Sequence, residues 1–349
     1  MGGIFGWPVA FINVLFPASH LIRKERDEQL SITQTVQATP PLIGERGRGG
    51  EGKSPASAYR QGPMLRRLLI ILEMIKFEHT LFALPFALVA ALAAAKGVPG
   101  WKQLCWLLAA MVGARSSAMT FNRIVDIEYD RRNPRTSGRA LPTGLVTTAQ
   151  AWLFTLITAG LLVLAAWQIN PQKPLALWLS PVALAIVWGY SFTKRFTRLS
   201  HLVLGLALGI APSAAWIALT GELPLPPVVL TLAVICWTAG FDIIYACQDI
   251  EFDRRVGLYS VPSKLGIGPA LVISSLLHLL AFGLLAAFGV LAGLKYGYSA
   301  ALLPVAGLLV YQHLIVRPND LSRVNAAFFT ANGAISLLLL IGACVDVLV

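Results

Sequence analysis

Two groups of acidic side chains are spaced so that they could hold a cation against a phosphate. Asn122, Asp126 and Asp130 recur every fourth residue, so on a helix they share one face. Asp242, Tyr245, Asp249 and Asp253 fall at i, i+3, i+7 and i+11, again one face. Seven of the 17 acidic residues lie in these two stretches, and Glu128 and Glu251 fall off both faces and read as solvated surface. Carboxylates converging on one pocket repel one another and raise their own pKa values. A hard divalent cation such as Mg²⁺ removes that conflict and binds substrate phosphates through its remaining positions. Salt bridges capping helix ends would account for Asp130 beside Arg131 and Asp253 beside Arg254. They would not account for the paired spacing or for Asp242.

Other polar residues fall into place around these motifs. Arg115 lies seven residues before Asn122 on the same helix face. Arg115 and Asp242 both sit well inside apolar windows, where an ionisable group costs a few kcal/mol and normally faces a cavity or a partner. Tyr190 and Lys194 are four apart, on one face of another helix end. Taken alone they read as a belt aromatic and a basic anchor, but beside a diphosphate they offer a hydroxyl and an ammonium. Arg135 and Arg139 follow the first motif and add cationic contacts. Lys76, Glu78 and His79 open the first apolar stretch and either line the same pocket or snorkel to its edge. Asn325 and Asn332 read as interhelical hydrogen-bonding residues, and His278 and His313 as structural. Cys105, Cys236, Cys247 and Cys344 show no metal-ligand spacing and read as small buried hydrophobes.

The two motifs are copies of one device. Asp126-Ile-Glu-Tyr-Asp130-Arg131-Arg132 returns as Asp249-Ile-Glu-Phe-Asp253-Arg254-Arg255, with Tyr129 exchanged for Phe252. Each copy follows an apolar span, and the copies are four spans apart. They therefore belong to two units running in the same direction, each giving one acidic helix end to a shared site.

The elements that position these residues follow from composition. The chain has 349 residues, 56% hydrophobic and only 13% charged, with a mean hydropathy of +0.68. A soluble fold cannot hide that much apolar surface, so the bilayer is the solvent. A spanning helix needs about 20 apolar residues, and nine windows meet that: 77–96, 101–122, 149–169, 174–192, 201–220, 226–246, 268–292, 298–316 and 325–348. The predicted fold is an all-α integral membrane protein. The net charge of +11 comes from basic residues between the spans, so topology explains it and nucleic acid need not. Thirteen Lys and Arg fall in connections on one side and four on the other, which puts the N-terminus and both motifs in the cytoplasm. Residues 1–63 are set apart. The stretch 23–62 is too polar to bury a core and reads as disordered. Residues 4–16 are apolar but short for a span, and they lack the basic n-region of a signal peptide. An interfacial helix, or a chain whose working part starts at Met64, accounts for them equally, and the expectation is a disordered or dispensable extension over 1–63 with the membrane domain over 64–349.

With these motifs in view, the chain resembles the UbiA superfamily of intramembrane prenyltransferases. The family's Asn-x-x-x-Asp-x-x-x-Asp signature is matched by Asn122, Asp126 and Asp130. Its Asp-x-x-Tyr-Ala-x-x-Asp-x-x-x-Asp is matched by Asp242, Tyr245, Ala246, Asp249 and Asp253, and its Tyr-x-x-x-Lys by Tyr190 and Lys194. The resemblance covers residues 64–349. Lys76-Phe77-Glu78-His79-Thr80 followed by Phe82-Ala83-Leu84-Pro85 is similar to the bacterial 4-hydroxybenzoate polyprenyltransferase branch, which includes menaquinone-pathway relatives. The resemblance implies nine transmembrane helices around a central cavity and a place in the inner membrane. It implies Mg²⁺ held by the two acidic sets, a polyprenyl diphosphate donor clamped by Lys194 and Tyr190, and an aromatic acid acceptor (4-hydroxybenzoate or a hydroxynaphthoate) whose carboxylate meets Arg115. Lys76 falls near a basic position of the first helix. Prenylation in haem, chlorophyll or homogentisate chemistry is the alternative within the family. A secondary transporter is the alternative outside it, but transporter sites lie near the midplane on interrupted helices, whereas these acids gather at one side.

Overall fold

The computed structural model describes residues 80–349, with side chains from Phe82 onward. Lys76, Glu78, His79 and the whole of 1–63 lie outside the described residues. Twelve α-helices follow one another: α1 (Thr80–Ala95), α2 (Trp101–Val125), α3 (Ile127–Arg132), α4 (Thr148–Ile169), α5 (Leu175–Thr193), α6 (Ser200–Thr220), α7 (Leu225–Ala246), α8 (Ile250–Val256), α9 (Val261–Leu265), α10 (Ile267–Leu291), α11 (Tyr296–Ile315) and α12 (Asn332–Leu348). A π-helical turn, Ala326–Ala331, leads into α12. Among the described residues eight helices are long and apolar enough to cross a membrane. The expected first span falls on α1, a shorter apolar helix of 16 residues, and the start of window 77–96 lies outside the described residues. The remaining eight windows coincide with the observed helices to within about three residues, because long apolar runs are the plainest signal a sequence carries.

Apolar side chains stand on the outside of the bundle as well as in its core. Leu156, Leu279 and Leu303 stand on the outside, where lipid is their natural solvent, and Cys105 is exposed as well, contrary to its reading as a buried hydrophobe. A set of polar side chains is buried among the apolar ones. Gln312 of α11 donates to Asn332 of α12 at 2.9 Å, which bears out the interhelical role of Asn332. His278 and His313 join α10 to α11 at 2.9 Å. Helix α7 is the most enclosed, with Trp237, Phe241, Ile243 and Ile244 buried, and it packs along α6 and α10. Its approach to α6 is very close: a Cβ on Gly205 would stand 2.5 Å from the carbonyl oxygen of Ile235. Only glycine permits that approach, as small residues do in membrane helix pairs generally.

The two sequence copies adopt one backbone shape. Helix α2 stops at Asp126, whose φ and ψ are −96° and 10°, and α3 starts directly after it. Helix α7 passes into a 3₁₀ turn, Cys247–Asp249, and Asp249 has φ −102° and ψ 7° before α8 begins. The first aspartate of each heptapeptide therefore bends its helix, so neither motif is one uninterrupted helix as the spacing alone suggests. After α3 the chain runs through turns to Thr147, where a capping box with Gln150 starts α4.

Candidate active site

The bent ends of α2 and α7 face one another across a cavity of about 190 Å³. Its wall contains Asn122, Asp126 and Asp130 from the first motif and Asp242, Tyr245, Asp249 and Asp253 from the second. Tyr190 and Lys194 at the end of α5, and Arg135 and Arg139 from the loop after α3, complete it. Residues up to 131 positions apart in sequence thus share one chamber, as the spacing predicted. Glu128 and Glu251 are exposed, and Glu128 pairs with Arg131 at 2.7 Å on the surface. A second, outer cavity of about 350 Å³ adjoins the first and shares Tyr129 with it.

Each acidic group is held by its own partner. Arg135 donates to both oxygens of Asp249, at 2.9 and 2.6 Å, and to the Tyr245 hydroxyl at 3.1 Å. Arg139 donates to both oxygens of buried Asp130, at 2.6 and 2.8 Å. The sequence reading cast these arginines as cations for the substrate, but here they are bound to carboxylates of the two motifs. Their planar fork suits a carboxylate and a phosphate equally well. Arg195, at the end of α5, reaches Asp126 at 3.3 Å, and Asn122 donates its amide to the other oxygen of Asp126 at 3.0 Å. Burial pushes the Asp126 carboxyl above the usual range, with the hydrogen bond from Arg195 working against it. For Arg135, burial pulls downward, and the bond to Asp249 outweighs it.

Lys194 is different. Among the described residues its ammonium has no hydrogen bond or ion pair, although it is half-buried in the cavity wall. Burial pulls its pKa down, but Asp253, Asp242, Tyr190 and Asp249 around it outweigh that and raise it, so it stays charged. Arg115 shares the α2 face with Asn122 but is not part of the cavity wall, and its buried Nε has no partner among the described residues.

Among the described residues no three His, Cys, Asp or Glu side chains stand close enough to share an ion. The donor set nevertheless fits Mg²⁺. It consists of hard oxygens from both motifs, and Mg²⁺ takes only one or two carboxylates and completes its octahedron with water and phosphate. The sequence reading missed several residues that hold this set. His201 contacts Asp242 at 2.7 Å. Ser260 donates to Asp253 at 2.9 Å. Arg123 lies 3.9 Å from Asp130. Of these, only Arg123 carried a sequence signal, being next to Asn122.

A bundle of membrane-length helices with an acidic, arginine-flanked chamber at one end defines a multi-pass membrane protein. Residues 83–333 match the model of the UbiA prenyltransferase family, and the chain belongs to that family and is a prenyltransferase. It is 34% identical over 258 residues to a 4-hydroxybenzoate octaprenyltransferase of Saccharophagus degradans, covering 73% of this chain and 84% of that protein. The Salmonella paratyphi B protein of the same name is 34% identical over 248 residues, covering 70% and 83%. The fold superposes on the apo structure of a UbiA homologue from Aeropyrum pernix with a TM-score of 0.70, 34% identity and coverage of 77% and 98%. An Archaeoglobus fulgidus UbiA homologue bound to DMAPP and Mg²⁺ shares the fold, with a TM-score of 0.60, 21% identity and coverage of 80% and 99%.

Proposed function

We propose that this prenyltransferase moves a polyprenyl group from its diphosphate to the ring of an aromatic acid, 4-hydroxybenzoate or a hydroxynaphthoate, with Mg²⁺ as cofactor. The observation that carries the reading is the Lys194 ammonium, which has no partner among the described residues although it shares the wall with both acidic motifs, whose carboxylates already hold Arg135 and Arg139. A protein stabilised by ion pairs alone leaves no cation over beside so many carboxylates, whereas a diphosphate brought in with its metal needs one. The acceptor class is supported by the names of the relatives in Saccharophagus and Salmonella.

Asn122, Asp126 and Asp130 on one side, and Asp242, Asp249 and Asp253 on the other, would hold the metal. Magnesium there supplies neutralisation of the charge that develops on the leaving diphosphate. Lys194 donates to the diphosphate oxygens, and the Tyr190 hydroxyl stands beside it to do the same. Arg135 and Arg139, now on Asp249 and Asp130, exchange a carboxylate for a phosphate oxygen as the substrate enters, so these two guanidiniums stay paired. Beneath the chamber Tyr245 lies against Phe328 at 4.3 Å, and Phe328 against Phe241 at 5.2 Å. These faces exclude water and attract an allylic cation once carbon–oxygen cleavage has begun. The ring carbon ortho to the phenol then attacks carbon one of the prenyl chain, and loss of the ring proton restores aromaticity. Arg115, whose buried Nε has no partner among the described residues, would receive the acceptor carboxylate.

Purified enzyme given one labelled polyprenyl diphosphate and a panel of aromatic acids should prenylate 4-hydroxybenzoate or a hydroxynaphthoate and release pyrophosphate only when Mg²⁺ is added. Transfer to homogentisate or haem in place of these acids would move the reading to another branch of the family. Arg115→Gln should raise KM for the acid and leave KM for the diphosphate nearly unchanged, and an equal rise in both would remove its role.

A further inference from the structure

Three consecutive residues after α8 each hold one group of the site. The Tyr259 N–H donates to the backbone oxygen of Lys194 at 2.7 Å. The Ser260 hydroxyl donates to Asp253 at 2.9 Å. The Val261 N–H donates to His201 Nε2 at 3.1 Å, and His201 Nδ1 stands 2.7 Å from Asp242 Oδ2. His201 is fully buried in the first turn of α6, and its two contacts fix the ring completely. Because Nε2 accepts the Val261 N–H, it carries no proton. The ring proton is then on Nδ1, and it donates to the carboxylate. Asp242 Oδ1 has no hydrogen bond among the described residues and is left for the cavity.

The helix pair is built to allow this contact. His201, Gly205 and Gly209 fall four apart on one face of α6. A Cβ on either glycine would press on α7 at Ile235, 2.5 Å from its carbonyl at Gly205 and 2.7 Å from its side chain at Gly209. Ile235 lies seven residues before Asp242 on the same face of α7. The glycines thus bring α6 close enough for a short histidine bond to Asp242, one or two turns further along.

We propose that His201 is a positioning residue for the metal. It holds Asp242 by one oxygen in a single orientation and presents the other to the cation, with the Tyr259–Val261 strap locking the ring from behind. Carboxylates that bind metals are themselves held by such outer partners, and losing one typically weakens metal affinity or activity by about 10–100-fold. The inference rests on the reading of Asp242 as a magnesium ligand.

The two ring nitrogens can be replaced separately. In His201→Asn the amide nitrogen takes the place of Nδ1 and keeps the donor to Asp242. In His201→Gln the amide oxygen takes the place of Nε2 and keeps the acceptor for Val261 but loses that donor. Two readouts apply to each purified variant: the Mg²⁺ concentration for half-maximal transfer, and Mn²⁺ affinity by electron paramagnetic resonance with a non-reactive prenyl thiodiphosphate bound. His201→Gln should weaken both by about 10–100-fold, with KM for the aromatic acid little changed, and His201→Asn should restore both to within a few-fold of the parent. Equal shifts in the two variants, no shift in His201→Gln, or equal loss of folding in both by thermal melting would each overturn the assignment. A parent enzyme needing no divalent cation would instead overturn the reading of the site itself.

Discussion

At the scale of single residues the proposed function divides the site into groups that would meet the substrate and groups that would aim them. Asp126 and Asp249 occupy the same place in the two heptapeptides, each at the bend of its helix and each with an arginine on it. If both serve the diphosphate, Asp126→Asn and Asp249→Asn should each cut kcat/KM by about a thousandfold, which is the several kcal/mol that metal stabilisation of a leaving group is worth. Both variants should still elute as folded protein. Glu128→Gln and Glu251→Gln, one residue pair away in the same heptapeptides but exposed, should remain within about twofold, since surface substitutions rarely exceed ±0.5 kcal/mol. A loss in the glutamate variants comparable to that in the aspartate variants would mean that total negative charge at the mouth, not ligation, is what matters. The groups that face the chamber were legible in the sequence because their spacing is helical and repeated. His201 was not, since a lone histidine at the start of an apolar window has no periodicity of its own. Its meaning depends on Asp242 and Val261, 41 and 60 residues away.

At the scale of elements, the site depends on how closely helices approach. The windows gave the helices and their ends, and they could do so because spans are long and uniform. They could not give the bends at Asp126 and Asp249, where a one-face pattern continues across a broken backbone, nor the strap at Tyr259–Val261, which is too short to show a period. The seam between α6 and α7 turns on Gly205 and Gly209. Gly205→Ala would drive a methyl group into the Ile235 carbonyl, where only backbone can give way. Overpacking of this kind costs about 1–3 kcal/mol, so the melting temperature in detergent should fall. The separation of the helices should also stretch the His201–Asp242 contact and raise the Mg²⁺ requirement. Gly283→Ala on α10, where no described atom stands within 4 Å, is the matched control and should leave both unchanged. A Gly205→Ala enzyme as stable and as metal-responsive as the parent would show that the seam tolerates separation and that the site is positioned from elsewhere.

At the scale of the whole molecule, both acidic ends open on the same side because the two copies run in the same direction. That side also carries the bulk of the positive charge. Arg131, Arg132, Arg254 and Arg255 follow directly on the motifs, and Lys194, Arg195 and Arg198 follow α5. The opposite connections hold only Lys96, Lys102, Lys173 and Lys295. Basic loops stay on the cytoplasmic face during insertion, so the chamber should open to the cytoplasm, where a water-soluble diphosphate head would arrive while its chain lies in the bilayer. On this reading one set of arginines would set the topology while Arg135 and Arg139, which line the chamber, would serve the site, so net charge alone does not distinguish an anchor from a ligand. The orientation can be tested in a variant whose four cysteines are replaced and into which single cysteines are returned. Ser137→Cys lies on the exposed loop after α3, and Val98→Cys on the exposed turn before α2. In intact bacterial cells a membrane-impermeant maleimide should label Val98→Cys and spare Ser137→Cys until the membrane is opened. Labelling of Ser137→Cys in intact cells would reverse the topology and require the diphosphate to reach the chamber from outside.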